Sequence, residues 1–274
     1  MKRLNGRMLT VLSFGMAALF LVSIAIAGQA YAGSALETDF SRKNLAPCAQ
    51  YLFGTDWLGR DMLVRTLTGL SMSIRIGLLA AGVSSALAFI LGALAATMGK
   101  AADSFITWCI DLVMGIPHIL LLILISYALG RGFKGVVTGV ALTHWTALAR
   151  VIRGEVLQLK EAPYIKAAQK LGMGRLLIVW KHMVPHLFPQ FLVGLIMMFP
   201  HAILHEASIT FLGFGLPPEQ PAIGIILSES MKHLAMGRWW LAVFPGLLLV
   251  LTVVLFDMAG ESLRKLLAPG SAHR

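Results

Sequence analysis

The chain has 274 residues, of which 57% are hydrophobic and only 13% charged, with a mean hydropathy of +0.78. A soluble domain carries about 25% charged residues, so this composition excludes one and describes an all-α integral membrane protein. The net charge of +10 does not point to nucleic acid, because the basic residues lie between apolar stretches, where the enrichment of Lys and Arg in cytoplasmic loops accounts for them.

Lys2, Arg3 and Arg7 precede an apolar run from Met8 to Ala27, and Ala30-Tyr31-Ala32 resembles a signal-peptidase site. The run is about twice the length of a signal-peptide core and reaches the roughly 20 residues that cross a bilayer. It is therefore expected to be a retained first span at 8–28. Further spans are expected at 73–98, 105–129, 133–150, 187–212 and 240–260, six in all. Residues 1–72 form a first helix with an external segment, and 73–274 form the main transmembrane domain. Cys48 is in a polar setting and Cys109 in an apolar one, so neither a disulfide nor a metal-binding spacing is expected. Pro117 and Pro200 are expected to kink their spans. Asp111 is expected to pair with another helix, and Glu206 to sit near the outer end of its span, because both are costly inside lipid.

With the N-terminus in the cytoplasm, Lys2, Arg3, Arg7, Lys100, the basic residues of 150–186, Arg264, Lys265 and Arg274 all lie inside, which leaves the smaller share of Lys and Arg outside. This charge bias favours that orientation.

The inner segment 150–186 is the most informative. It carries Arg150, Arg153, Lys160, Lys166, Lys170, Arg175 and Lys181 against Glu155 and Glu161. Tyr164, Ala167, Ala168 and Leu171 follow helical spacing. Pro163 suits a first helical turn, and Gly172 and Gly174 end the helix. A second short run, Leu176 to Trp180, leads to Pro185. The pattern predicts a helical elbow projecting from the membrane. On pattern alone, an elbow docked to a soluble partner and a helix lying on anionic lipid both stay open. No Gly-x-x-x-x-Gly-Lys-Ser/Thr motif occurs. The nearest match, Gly99-Lys100-Ala101, lacks the leading glycine, where Leu94 stands, and the hydroxyl residue. The chain is therefore expected to bind no nucleotide or other cofactor.

Lys166-Ala167-Ala168, three residues, Gly172, nine residues and His182-Met183-Val184-Pro185 resemble the EAA signature of ATP-binding-cassette importer permeases, with Lys166 in place of the usual Glu. Gly54-Thr55-Asp56-Trp57-Leu58-Gly59-Arg60-Asp61, followed by Arg65, and Glu206-Ala207-Ser208-Ile209-Thr210-Phe211-Leu212-Gly213 resemble two further segments of the dipeptide, oligopeptide and nickel branch. So does the tail from Phe244-Pro245-Gly246 through Asp257, Gly260 and Arg264 to Pro269. The resemblance covers nearly the whole chain, and it implies a type I importer permease fold with a cytoplasmic coupling helix and the second, C-type, position in a permease pair. The implied ATPase-coupling residues are Tyr164, Lys166, Ala167, Ala168, Gly172 and Pro185. The implied partners are a B-type permease, two cytoplasmic ATPase subunits holding ATP and Mg2+, an extracytoplasmic solute-binding protein and the bilayer, with no nucleic acid. The implied location is the bacterial cytoplasmic membrane, and the implied mechanism is alternating access.

For the external segment, Gly54, Asp56, Gly59, Arg60 and Asp61 predict either a folded cap held by exposed ion pairs or a contact with the binding protein or partner permease. For the cargo, His201 and His205 lie four apart on one helix face, with Met197 and Met198 a turn earlier, and His144-Trp145 precedes the elbow. Imidazole and thioether suit borderline divalent metals. The histidine pattern resembles nickel permeases, so nickel or a nickel chelate is the expected cargo and peptides the alternative. The expected substrate path comprises His144, Met197, Met198, His201, His205 and Glu206, with His201 and His205 as metal ligands. A membrane metalloenzyme is disfavoured because His205-Glu206 does not continue to a second histidine; position 209 is Ile209. An autonomous channel or secondary transporter would not need the elbow.

Overall fold

The computed structural model describes residues 6–267. The elements, in order, are α1 (Gly6–Ala30), α2 (Met62–Thr97), α3 (Lys100–Gly115), α4 (His118–Ala128), α5 (Gly132–Glu161), α6 (Pro163–Lys170), α7 (Arg175–Ile178), α8 (Val184–Phe211), α9 (Ile223–Leu234) and α10 (Trp240–Leu267). A π-helical turn, Val179–Met183, joins α7 to α8. No strand occurs among the described residues; one isolated bridge pairs Thr55 with Asp61. Among the described residues, five helices are long and apolar enough to cross a membrane, and α3 with α4 make a sixth if that bent pair is one span.

The expected third span, 105–129, is not one helix. α3 and α4 meet at an angle of 98°. Pro117 has no N–H to donate, and its ring drives the preceding residue out of the helical region. Ile116 is accordingly extended, at φ −93° and ψ 136°. The expected kink at Pro117 is therefore a full break. α8, by contrast, continues through Pro189 and Pro200. Two boundaries also differ from the expected ones. α2 starts at Met62, because the Asp61 carboxylate accepts from the N–H groups of Leu63 and Val64 and caps the helix. α5 does not stop at 150 but runs as one helix to Glu161.

The core lies where α2, α5 and α8 meet. Small residues let these backbones approach closely. A Cβ at Gly92 of α2 would sit 3.1 Å from the Ile152 Cβ of α5, and one at Gly77 would sit 2.9 Å from the Phe199 ring of α8. The outward residues are large and apolar. Leu19, Val22, Leu78, Ile90, Leu124, Leu247 and Val250 are all exposed, as hydrocarbon-facing side chains should be. α3 is fastened to α5 by ion pairs from Arg150 to Asp111 (2.5 Å) and from Arg153 to Asp103 (2.5 Å), which provides the interhelix partner expected for Asp111.

Candidate functional site

The break between α3 and α4 opens a cavity of about 940 Å³ walled by the ends of those helices, by α5 and by α8, with Arg264 of α10 on its rim. Its lining is mostly apolar, including Val113, Met114, Leu148, Val193, Met197 and Met198. Three imidazoles converge on it from three helices. His118 is the first residue of α4, His144 lies midway along α5 and His205 lies on α8. Their ring centroids are 4.4, 4.6 and 4.9 Å apart, and each residue places a ring nitrogen within 4.8 Å of the other two.

Backbone carbonyls orient two of the rings. His144 Nδ1 lies 2.9 Å from the Val140 oxygen, and His205 Nδ1 lies 2.7 Å from the His201 oxygen. A carbonyl oxygen only accepts, so both Nδ1 atoms carry the proton and both Nε2 atoms keep a lone pair. His144 Nε2 is 3.3 Å from His205 Nδ1. His118 Nε2 is buried without a hydrogen-bond partner.

The histidine cluster differs in composition from the expected pair. His205 belongs to the cluster, but His201, although it lines the cavity, is exposed and contributes its backbone oxygen instead of its ring. Helical spacing places both on one face of α8, but the nitrogens nearest His205 come from other helices. Of the residues expected on the substrate path, His144, Met197 and Met198 are on the cavity wall. Glu206 is not. It is fully buried within the bundle, where its carboxyl accepts from the Thr210 hydroxyl at 2.9 Å. His118 was not anticipated; the available signal was a histidine directly after the proline that interrupts an apolar run.

The segment around Asp56 is knitted by charge, and its ion pairs are largely buried. Asp56 is completely buried and accepts from the Leu58 and Arg60 N–H groups, from Arg60 Nε (2.6 Å) and from Arg65 (2.8 Å). Arg65 also donates to Glu229 of α9 at 2.9 Å. Two carboxylates and two guanidiniums therefore balance inside the fold. Gly54 and Gly59 have φ of +70° and +78°, which shape the turns around Asp56. Asp61 caps α2. Trp57 stacks on His233 with centroids 4.4 Å apart, and Phe53 stacks on Phe244 at 4.6 Å.

The elbow forms as expected in outline. α6 starts at Pro163 and ends in a Schellman turn, in which Met173 N–H donates to Ala168 and Gly172 N–H to Gln169, with Gly172 at φ +80°. The apolar stripe divides. Ala168 packs inward with Ile165, whereas Tyr164, Ala167 and Leu171 share an exposed outward face. Lys166 is also outward and pairs with Glu161 at 2.7 Å. Pro185 is exposed in the first turn of α8.

Residues 88–272 match the family described as binding-protein-dependent transport system inner membrane component. The Bacillus subtilis dipeptide transport system permease protein DppC is 31% identical over 252 residues, covering 92% of this chain and 79% of that protein. The oligopeptide transport system permease protein OppC of the same organism is 32% identical over 259 residues, covering 93% and 85%. A putative peptide transport system permease protein of Brucella suis is 35% identical over 223 residues, covering 81% and 75%. Among solved structures, an inward-facing MetNI methionine ABC transporter superposes with a TM-score of 0.62 at 15% identity, covering 76% of this chain and 98% of that one. An amino acid ABC transporter with histidines gives 0.58 at 16%, covering 73% and 93%. The three sequence relatives are named for peptides, and none of the proteins compared supports the expected nickel specificity. The chain belongs to the binding-protein-dependent inner membrane component family and is the multi-pass permease subunit of an ABC importer, not an ATPase.

Proposed function

We propose that this chain is the C-type permease of an importer for small peptides, working beside a B-type permease, two ATPase subunits that hold ATP and Mg2+, and a solute-binding protein. The N-terminus and elbow face the cytoplasm. The observation that carries the cargo reading is the cavity of about 940 Å³, apolar with a few polar groups. Its volume is that of a small-molecule site and is far larger than a bare ion needs. The elbow supports the coupling role, because Tyr164, Ala167 and Leu171 form an exposed apolar face at the end of the long helix α5. In this reading ATP-driven closure of the ATPases moves α6, and the permease pair rocks between its two access states.

Nickel or a metal chelate is the second reading, favoured by the three imidazoles on the cavity wall. Uptake of radiolabelled dipeptide and of radiolabelled nickel, with and without this chain, separates the two. Deletion is expected to abolish peptide uptake. Intact peptide uptake with lost nickel uptake would replace the first reading by the second.

A further inference from the structure

We infer that His118, His144 and His205 form a binding site for a borderline divalent transition-metal ion, with a coordination position left open to the cavity. The inference rests on the permease reading for its role in transport, but not for the existence of the site.

Three observations converge. The first is distance. Tetrahedral ligation at about 2.0–2.1 Å places imidazole nitrogens about 3.3 Å apart and ring centroids about 5 Å apart. The centroids here are 4.4–4.9 Å apart, and one ring nitrogen of each residue lies within 4.8 Å of the other two. Small side-chain rotations complete the set.

The second is orientation. A metal-binding histidine almost always donates its other N–H to a carbonyl or carboxylate, which fixes the tautomer and makes the ligating nitrogen more basic. His144 and His205 both do this, each to the carbonyl four residues earlier on its own helix. The third is the His118 Nε2 atom, which is buried and has no partner. A buried polar atom without a partner is destabilising, by an amount comparable to a lost hydrogen bond. Edge-to-face packing of three neutral rings would leave that atom unsatisfied, whereas a cation satisfies it.

Ligand chemistry selects the metal. Neutral imidazoles without a carboxylate suit nickel, copper, zinc or cobalt, and not the harder calcium or magnesium. The ion can arrive free or carried in a chelate whose own donor fills the open position.

The test uses the purified importer, with both permeases and the ATPases, in lipid nanodiscs. Nickel ion alone is titrated, bound metal is counted after gel filtration, and the nickel-edge X-ray absorption spectrum is recorded. The expected result is one nickel per copy of this chain with scattering from three imidazoles. His118→Gln, His144→Gln and His205→Gln should each weaken binding at least tenfold, as losses at and around metal ligands do. His186→Gln, outside the cavity, should leave binding unchanged. No stoichiometric nickel, a spectrum without imidazole scattering, or unchanged binding in the three variants would overturn the site. The wild-type spectrum decides even if a variant fails to assemble.

A second titration, with nickel premixed with a tripeptide chelator, separates the sources. Co-elution of metal and peptide identifies the chelate as the ligand, and elution of metal alone identifies the free ion. Peptide uptake is measured in parallel. Normal peptide uptake in an importer that never binds nickel would sink the site and leave the peptide reading standing.

Discussion

At the scale of single residues, Arg65 carries the largest energetic stake. It is almost wholly buried and touches both Asp56 and Glu229. Removing one partner of a buried ion pair leaves the other charge uncompensated and costs about 3–5 kcal/mol. Arg65→Ala should therefore lower the thermal stability of the detergent-solubilised protein by that order, and Arg65→Lys should recover only part of it, because a compact ammonium lacks the two separated guanidinium nitrogens that reach Asp56 and Glu229. An unchanged melting curve for Arg65→Ala would refute the buried network. His233 makes a milder, pH-dependent contribution. Burial beneath Trp57 and the neighbouring Arg238 hold its pKa below the ordinary 6.5. The neutral ring is thus the form the fold prefers, and Arg238 donates to its Nδ1 at 3.0 Å. A depressed histidine pKa contributes stability that is present above pH 6.5 and lost as the pH falls below it. His233→Phe keeps the stack but cannot be protonated, so its melting temperature should fall less than the wild type's between pH 7 and pH 5. Parallel curves would show that His233 plays no part. Asp56, Arg60 and Arg65 were visible in the sequence as one charged motif, but Glu229, 164 positions beyond Arg65, was not. No local pattern encodes a partner delivered by a different helix. The same limit applies to His118. His205 could be selected because a pair four apart is a one-helix pattern, whereas the cluster it joins is built from three helices.

At the scale of elements, α6 and its turn are the most exacting. Gly172 has φ +80°, and nothing lies within 4 Å of the position a Cβ would take. A larger side chain therefore has space but meets backbone strain of roughly 1–2 kcal/mol, from which Asn is largely exempt. Gly172→Trp should abolish ATP-driven uptake while membrane insertion remains normal, and Gly172→Asn should retain most of it. Normal uptake by Gly172→Trp at normal protein levels would remove α6 from the coupling role. The existence and order of the long helices, the start of α6 and its glycine turn were all legible, because apolar length, Pro163 and Gly172 are local signals. Two features were not. The hydropathy of 105–129 is continuous across Pro117, so a break and a kink look alike until packing decides between them. The basic residues after Arg150 looked like the start of a loop, yet Ile152, Val156 and Leu159 pack inward and extend α5 to Glu161.

At the scale of the whole molecule, the cavity and the elbow sit on different parts of one bundle, and α5 is the member they share most directly. It receives both ion pairs from α3, supports the wall of the cavity and ends beside α6. As an uninterrupted helix of 30 residues it is a strut about 45 Å long. His144 lies partway along that strut, whereas His205 rides on α8 and His118 on α4. The three nitrogens therefore measure the angle between separate rods. A tilt imposed at the foot of the strut changes the spacing at His144 in proportion to its distance from the pivot, and a shift of about 1 Å separates a tetrahedral grip near 3.3 Å from an open one. If α6 receives the ATPase movement, the fold works as a pair of tongs, in which the handle and the jaw are the same piece of chain.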